Sequence, residues 1–222
     1  MKRMVQTVAL LAVCVILTMS TASAALILQL QAEDYNPSTN TLVADAGPNA
    51  SGGVTLVTDA TPLGKPVLRF NGGQYLGLTS AVGPTGSGAK YTIAAVVRPD
   101  SSGGTIIAGV DKSLQYRISA GKQRLLEQNT TDLGGSNTSL PTDAYSIIMV
   151  THGNGSASER GFFLDGLADG TPASKTISQQ LSRVGGRAQG ALEGYSGDIA
   201  EIRVYDHILS ASELSSLTTE LN

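Results

Sequence analysis

Tryptophan is absent from the 222 residues, and the other large aromatics are few, with three phenylalanines and seven tyrosines. A sugar platform is normally built on a Trp or Tyr face, so any carbohydrate reading here rests on the tyrosines and phenylalanines. Cysteine occurs once, as Cys14 in an N-terminal apolar segment. The remainder of the chain therefore has no disulfide, no thiolate nucleophile and no thiolate metal site. Charge of one sign is lacking too: 15 basic residues against 18 acidic ones give a formal charge of −3. That balance leaves no electrostatic footprint for nucleic acid or an anionic membrane. Long apolar runs are also missing, because Val8–Met19 falls short of the ~20 residues a comfortable membrane span requires. No Gly-x-Ser-x-Gly elbow occurs, and the glycine-rich Gly83–Ala89 loop has no Lys-Ser ending with which to cradle a phosphate.

The N-terminus has the layout of a secretory leader. Lys2 and Arg3 precede the apolar run, and Ala22-Ser23-Ala24 offers the small residues of a cleavage site. Val13 before Cys14 does not suit a lipoprotein, and an uncleaved anchor is the alternative. Residues 1–24 are thus expected to be a signal peptide, and 25–222 a single domain. Cleavage leaves 198 residues with a charge of −5, since Lys2 and Arg3 go with the leader. That length can bury a core without disulfides. Export without disulfides fits a bacterial source better than an animal one, and places the domain outside the cell, on its surface or in the periplasm.

What is present is a series of short apolar or alternating runs parted by Gly, Pro, Asn and Asp, the pattern of an all-β chain. Strands are expected at Ala25–Ala32, Gly53–Thr58, Val67–Phe70, Gln74–Leu78, Tyr91–Val97, Thr105–Val110, Gln115–Ser119 and Gln123–Asn129. Further strands are expected at Tyr145–His152, Gly161–Leu164, Lys175–Ile177 and Leu181–Val184. Turns are expected at Glu33–Pro37 and Asp45–Asn49. Asn71-Gly72 and Asp165-Gly166 read as hairpin turns. Tyr91–Val97 is the most apolar run and reads as a central strand buried on both faces. No linker or repeat divides the chain, so a two-sheet sandwich follows.

The stretch Ser196–Leu214 ends the series. Ala200, Ile202 and Val204 alternate with Glu201, Arg203 and Tyr205, the period of a half-buried strand. Ser210 and Glu213 then have the spacing of a capping box, predicting a short helix. On an uninterrupted strand Asp198 and Glu201, three positions apart, face opposite ways. They are therefore not a glycosidase acid/base pair, which needs two carboxyls about 5–9 Å apart on one face. Glu193, across Gly194 and Gly197, is not carried to Asp198 by a strand.

Four segments in order resemble a known family: Gly64-Lys65-Pro66-Val67-Leu68-Arg69-Phe70-Asn71-Gly72, Tyr91–Pro99, Phe163-Leu164-Asp165-Gly166, and Gly197–Tyr205 through Leu209-Ser210. They are similar to the signatures of the LamG-like jelly roll of the concanavalin A-like lectin/glucanase superfamily. The resemblance implies an all-β, two-sheet antiparallel jelly-roll sandwich with a short C-terminal helix. It implies that Asp198 and Glu201 fasten the closing strand by accepting hydrogen bonds from backbone N–H groups of nearby loops. It also implies that a structural calcium is possible, although no cofactor is required.

Loop acids Asp111, Asp132, Asp165 and Asp169 are the calcium candidates, although such an acid is more often a turn residue. His152 and His207 lack metal-ligand spacing. Tyr116, Tyr145 and Tyr195 are candidate sugar faces, and Asn129, Asn137 and Asn154 candidate amides. These three asparagines, with Asn49, also begin Asn-x-Ser/Thr sequons. The expected function is that of a non-catalytic binding or adhesion module for glycan or a surface protein. A structural or assembly module without a small-molecule ligand is the alternative, and a glycoside hydrolase the third reading.

Overall fold

The computed structural model describes residues 25–58, 64–100, 103–109, 114–127, 131–153, 156–177, 180–187 and 193–222. The leader, with Cys14, lies outside the described residues, as do Asp111, Asn129 and Asn154. In chain order the first strands are β1 (Leu26–Gln31), β2 (Tyr35–Asn36), β3 (Thr41–Leu42), β4 (Ala50–Ser51), β5 (Thr55–Val57) and β6 (Val67–Asn71). They continue with β7 (Leu76–Val82), β8 (Lys90–Pro99), β9 (Gly103–Gly109), β10 (Leu114–Ser119), β11 (Lys122–Glu127) and β12 (Thr131–Gly135). The last are β13 (Ser146–Gly153), β14 (Gly161–Leu164), β15 (Leu167–Ala168), β16 (Leu181–Val184) and β17 (Ser196–Tyr205), followed by helix α1 (Ala211–Leu221).

The strands form two antiparallel sheets. The first runs β15-β14-β13-β8-β17-β6-β5, with β1 also paired to β17. The second runs β12-β11-β10-β9-β16-β7-β4-β3-β2. Their facing sides share one core in which Phe70, Leu76, Tyr91, Ile93, Ile107, Tyr116, Ile148, Phe162 and Tyr195 pack together. A second, smaller apolar layer lies on the other side of the first sheet, where Leu214, Leu217 and Leu221 of α1 cover Val67, Ala94, Val96, Met149 and Ala200. Burying each of those leucines contributes about 2 kcal/mol relative to exposure. β8 and β13 lie between these two layers, which is why their sequences are apolar on both faces.

β17 is the seam of the first sheet. Along one side it pairs with β8 over nearly its whole length. Along the other, Ser196–Ile199 pair with β6 and Glu201–Tyr205 pair with β1. At the change of partner its register against β8 shifts between Ile199 and Glu201, a β-bulge. Gly197 opens the strand at φ 137°, where a Cβ would come within 2.3 Å of the Arg98 carbonyl oxygen. Only glycine fits there.

Local signals hold in several places. Asp165-Gly166 is a two-residue hairpin with positive φ at both residues, joining β14 to β15. Ser210 caps α1 as one half of a capping box with Glu213. Asn71-Gly72 is a correction: it does not make a hairpin, because β6 belongs to the first sheet and β7 to the second. The Asn71 side chain accepts from the Gly73 N–H, and the Gly72 N–H donates to the Tyr195 carbonyl oxygen, bending the chain across the edge of the sandwich. Lys175–Ile177 forms no strand, only a bridge from Ile177 to Gly86. The expected turn Glu33–Pro37 is a 3-10 turn running into the short β2, Asp45–Asn49 bends as expected, and β3 between them and β12 are strands beyond those expected.

Candidate functional site

Asp198 and Glu201 are the first residues to place. The bulge sets both on the outer, helix-bearing face of the first sheet, correcting the opposite-face expectation. Ile199 and Ile202 enter the inter-sheet core, whereas Ala200 joins the layer under α1. Asp198 aligns with Arg69 and Arg98 on its two neighbours, and Glu201 with Val96. The fasteners differ from expectation as well, being side chains of β1, β6, β8 and β17 itself and of Tyr145 just before β13, rather than loop N–H groups. Asp198 Oδ1 accepts from Arg69 Nε at 2.7 Å, and Oδ2 from Arg69 Nη2 at 2.9 Å, Arg98 Nη2 at 2.5 Å and Tyr145 Oη at 2.9 Å. Glu201 Oε1 accepts from Gln29 Nε2 at 3.0 Å and Arg203 Nε at 2.6 Å. Arg203 in turn reaches Glu220 of α1 at 2.5 Å.

The electrostatics of this network favour a fixed charge. Burial pushes the Asp198 carboxyl up, but hydrogen bonds from Arg69, Tyr145 and Arg98 outweigh it and hold it below the usual range. Its side chain is fully buried. Tyr145 is pushed up to about 12, by burial first and then by its bond to Asp198. A carboxylate bound by two guanidiniums and a phenol has no proton to give a leaving group at neutral pH.

The other candidates do not converge. Asp132 accepts from the Gly134 N–H and pairs with Arg124. Asp165 accepts from the Ile147 N–H, and Asp169 from the N–H and hydroxyl of Thr138. Among the described residues no three His, Cys, Asp or Glu groups come together to hold a metal ion. His152 is fully buried beside Tyr91, ring centroids 5.5 Å apart, and burial followed by the Arg160 charge lowers its pKa to about 4. His207 Nδ1 lies 2.6 Å from Asp206 Oδ1. Tyr116 and Tyr195 are core residues with no exposed face, and Tyr145 is committed to Asp198. Asn137 is exposed, with its backbone N–H bound to the Asp169 carbonyl. Glu193 sits between Arg117 and Arg187.

Concavities open at several places among the described residues, one of about 290 Å³ between β17 and α1, lined by Tyr205, Leu217 and Glu220 among others. Another, about 960 Å³, runs between the start of α1 and the β14 edge, lined by Glu159, Arg160, Phe163, His207 and Glu213 among others. Its charged groups are already engaged with one another or the backbone. Glu159 pairs with Lys90, Arg160 donates to the Ser156 and Pro172 carbonyls, and Glu213 caps Ser210. It offers an incoming polar ligand little that is unsatisfied.

A further hollow, about 350 Å³, is lined by Ser51, Gly52, Gly53, Gly73, Gln74 and Tyr75. Tyr75 is 44% exposed, and the Arg183 guanidinium lies over its ring at 4.5 Å from the centroid. Both belong to the outer face of the second sheet: Leu76 and Val184 point into the core, while Arg183 aligns with Gly77 and Ala108. Gly52 makes the geometry possible, because a Cβ there would come within 2.1 Å of the Tyr75 carbonyl oxygen. Gln74 Oε1 accepts from the Asn71 N–H at 3.2 Å, and among the described residues its amide nitrogen has no partner. An aromatic ring and an amide nitrogen at a glycine-walled hollow, with a guanidinium lying on that ring, are groups that recognise a sugar ring and its hydroxyls. In the sequence Tyr75 falls within the expected strand Gln74–Leu78, which conceals its exposure. Its setting between Gly72-Gly73 and Gly77 was the available signal.

Comparisons with known proteins agree with this architecture. No curated protein matches the chain by sequence. Among solved structures, domain 4 of AbnA, a GH43 extracellular arabinanase from Geobacillus stearothermophilus in complex with arabinotriose, superposes with TM-score 0.64 at 14% identity, covering 88% of this chain and 98% of that one. Trypanosoma rangeli sialidase in complex with sialic acid gives 0.62 at 14% identity, covering 88% of this chain and 33% of the sialidase. Botulinum neurotoxin type C, described as depending on two ganglioside molecules for cell entry, gives 0.59 at 15% identity, covering 89% of this chain and 51% of that one. The Laminin_G_3 pattern matches residues 70–215, from the end of β6 into α1. With most of the sandwich inside that match, the chain belongs to the concanavalin A-like lectin/glucanases superfamily.

Proposed function

We propose that this chain is an exported, non-catalytic carbohydrate-binding module that holds its ligand at Tyr75. The observation that carries the reading is the exposed Tyr75 ring, braced by Arg183 beside the hollow of Gly52, Gly53, Gly73 and Gln74. A pyranose packs its C–H face on such a ring while its hydroxyls meet the Gln74 amide and the guanidinium. Support comes from the neighbours above, which were solved with or described by arabinotriose, sialic acid and gangliosides. The leader-like residues 1–24 support export, and among the described residues no helix is long and apolar enough to cross a membrane. A glycan array probed with the wild-type domain and Tyr75→Ala, with and without EDTA, tests the reading. Saturable, sugar-competable binding that Tyr75→Ala abolishes is expected. Binding unchanged in Tyr75→Ala overturns the site, and silence of the wild type overturns the function.

An assembly module is the second reading. Leu167 favours it: it is 74% exposed on β15, at the edge of the first sheet. Self-association in sizing, lost in Leu167→Lys and joined to a silent array, is the outcome that selects it.

A further inference from the structure

An arginine over a tyrosine occurs twice in this molecule. Arg98 lies over Tyr145 at 5.0 Å, and Asp198 completes that pair by accepting from both the guanidinium and the phenol. Arg183 lies over Tyr75 at 4.5 Å. Among the described residues, no carboxylate or carbonyl accepts from Arg183. The other described arginines are all engaged. Arg69, Arg98, Arg117, Arg124, Arg187 and Arg203 meet carboxylates, and Arg160 donates to two carbonyls.

A further arginine lies on the same face as Arg183. On β10, Tyr116 enters the core, so Gln115 and Arg117 face outward, and Gln115 aligns with Ala108, which also aligns with Arg183. Arg117 thus stands on the same face, across β9 from Arg183. Arg117 and Arg187 share the single carboxylate of Glu193, at 3.4 and 3.0 Å. Glu193 is thus taken up by Arg117 and Arg187, and among the described residues Arg183 is left without a carboxylate partner. A guanidinium stays charged at any physiological pH, and its planar fork matches a carboxylate in two parallel hydrogen bonds.

We propose that the Tyr75–Arg183 site selects carboxylate-bearing sugars, of the uronic or sialic acid type, with the sugar carboxylate on Arg183 and the ring against Tyr75. The ligand's carboxylate then plays toward Arg183 and Tyr75 the part that Asp198 plays toward Arg98 and Tyr145. This inference rests on the carbohydrate-binding reading and narrows it.

The test is calorimetric titration with an oligogalacturonate and its uncharged methyl ester, alongside an array with uronate, sialylated, sulfated and neutral arms. Wild type is expected to bind the acid, or a sialylated arm over its neutral counterpart, at least tenfold more tightly, with a preference that shrinks as salt is raised. Arg183→Gln brings the ratio to about one with its thermal midpoint unchanged, and Arg183→Lys restores only part of it, because an ammonium lacks the fork. Arg124→Gln removes the same charge away from the hollow, where Arg124 pairs with Asp132, and leaves the ratio intact. Equal affinity for acid and neutral forms, a preference that survives Arg183→Gln, or an equal loss in Arg124→Gln overturns the proposal. Stronger binding of sulfated than of carboxylated arms overturns the carboxylate assignment. Neutral sugars bound through Tyr75 without acid preference sink only this inference, whereas silence to every arm sinks the carbohydrate reading with it.

Discussion

The two sheets present outer faces built from the same side chains to opposite ends. On the first sheet α1 lies over the strands, and arginines, acids and a tyrosine are cross-linked within the chain: Asp198 with Arg69, Arg98 and Tyr145, Glu201 with Arg203, and Arg203 with the helix through Glu220. On the second sheet Arg183 and Tyr75 touch each other, with Tyr75 still exposed. The difference is one of supply, since β17 brings two carboxylates to the first face at its bulge, while among the described residues no carboxylate reaches Arg183. Chemistry completed inside the chain stabilises the fold; the same chemistry left open is available to a ligand.

That contrast can be broken most directly at Asp198. Asp198→Ala strands two guanidiniums and a phenol and is expected to cost about 3 kcal/mol, the low end for losing one partner of a buried ion pair because Arg69 is 41% exposed. Urea unfolding measures it, and a loss below about 1 kcal/mol would show that the network on the first face is ornamental to stability.

Acid probes the first sheet from its inner side. The folded-state pKa of His152 lies below its ordinary value, so the unfolded chain takes up the proton first and stability falls as pH drops from 6.5 to about 4. A lowering to about 4 corresponds to about 3 kcal/mol lost by the bottom of that window. Asp198 is also lowered, so its contribution is present above its unfolded value of 3.8 and is lost at still lower pH. Thermal midpoints taken from pH 7 to 3 should therefore fall in two stages, and His152→Phe should flatten the first. A first stage that persists in His152→Phe assigns it to another group.

Ser210→Ala removes the cap of the helix over the first face and should cost about 1 kcal/mol by urea unfolding. The smallest effect belongs to the second face: Arg183→Gln should change stability by less than about 0.5 kcal/mol, as expected for a side chain outside any internal network. If it costs as much as Asp198→Ala, the two faces are alike and the contrast fails.

Much of the fold was readable because it depends on near neighbours. Continuous apolar runs placed β8 and β13, alternation placed β17, the Asp-Gly pair placed the β14–β15 hairpin, and Ser210 with Glu213 placed the start of α1. What failed depends on distant partners. Asn71-Gly72 carries a hairpin signal, but whether β6 and β7 share a sheet is decided by β17 and β16, more than 100 residues on. The bulge that turns Asp198 and Glu201 to one face arises where β17 changes partner, and no residue type announces it. The candidate site was hidden for the same reason: beyond its glycine-rich setting, Tyr75 is marked by its pairing with Arg183, and Tyr116 and Tyr195 look equally available until burial removes them.

The divided seam of β17 also imposes a timetable. Gln29 on β1 meets Glu201 on β17 from 172 residues away. At translation rates of about 5–20 residues per second, β1 waits roughly 10 to 35 s for the strand it must dock against. Through that interval Leu28 and Leu30, which end in the core, have no sheet to enter, and β6 and β8 also lack the neighbour between them. The first sheet therefore cannot be completed until its C-terminal strand has been made, and that completion is dominated by long-range contacts.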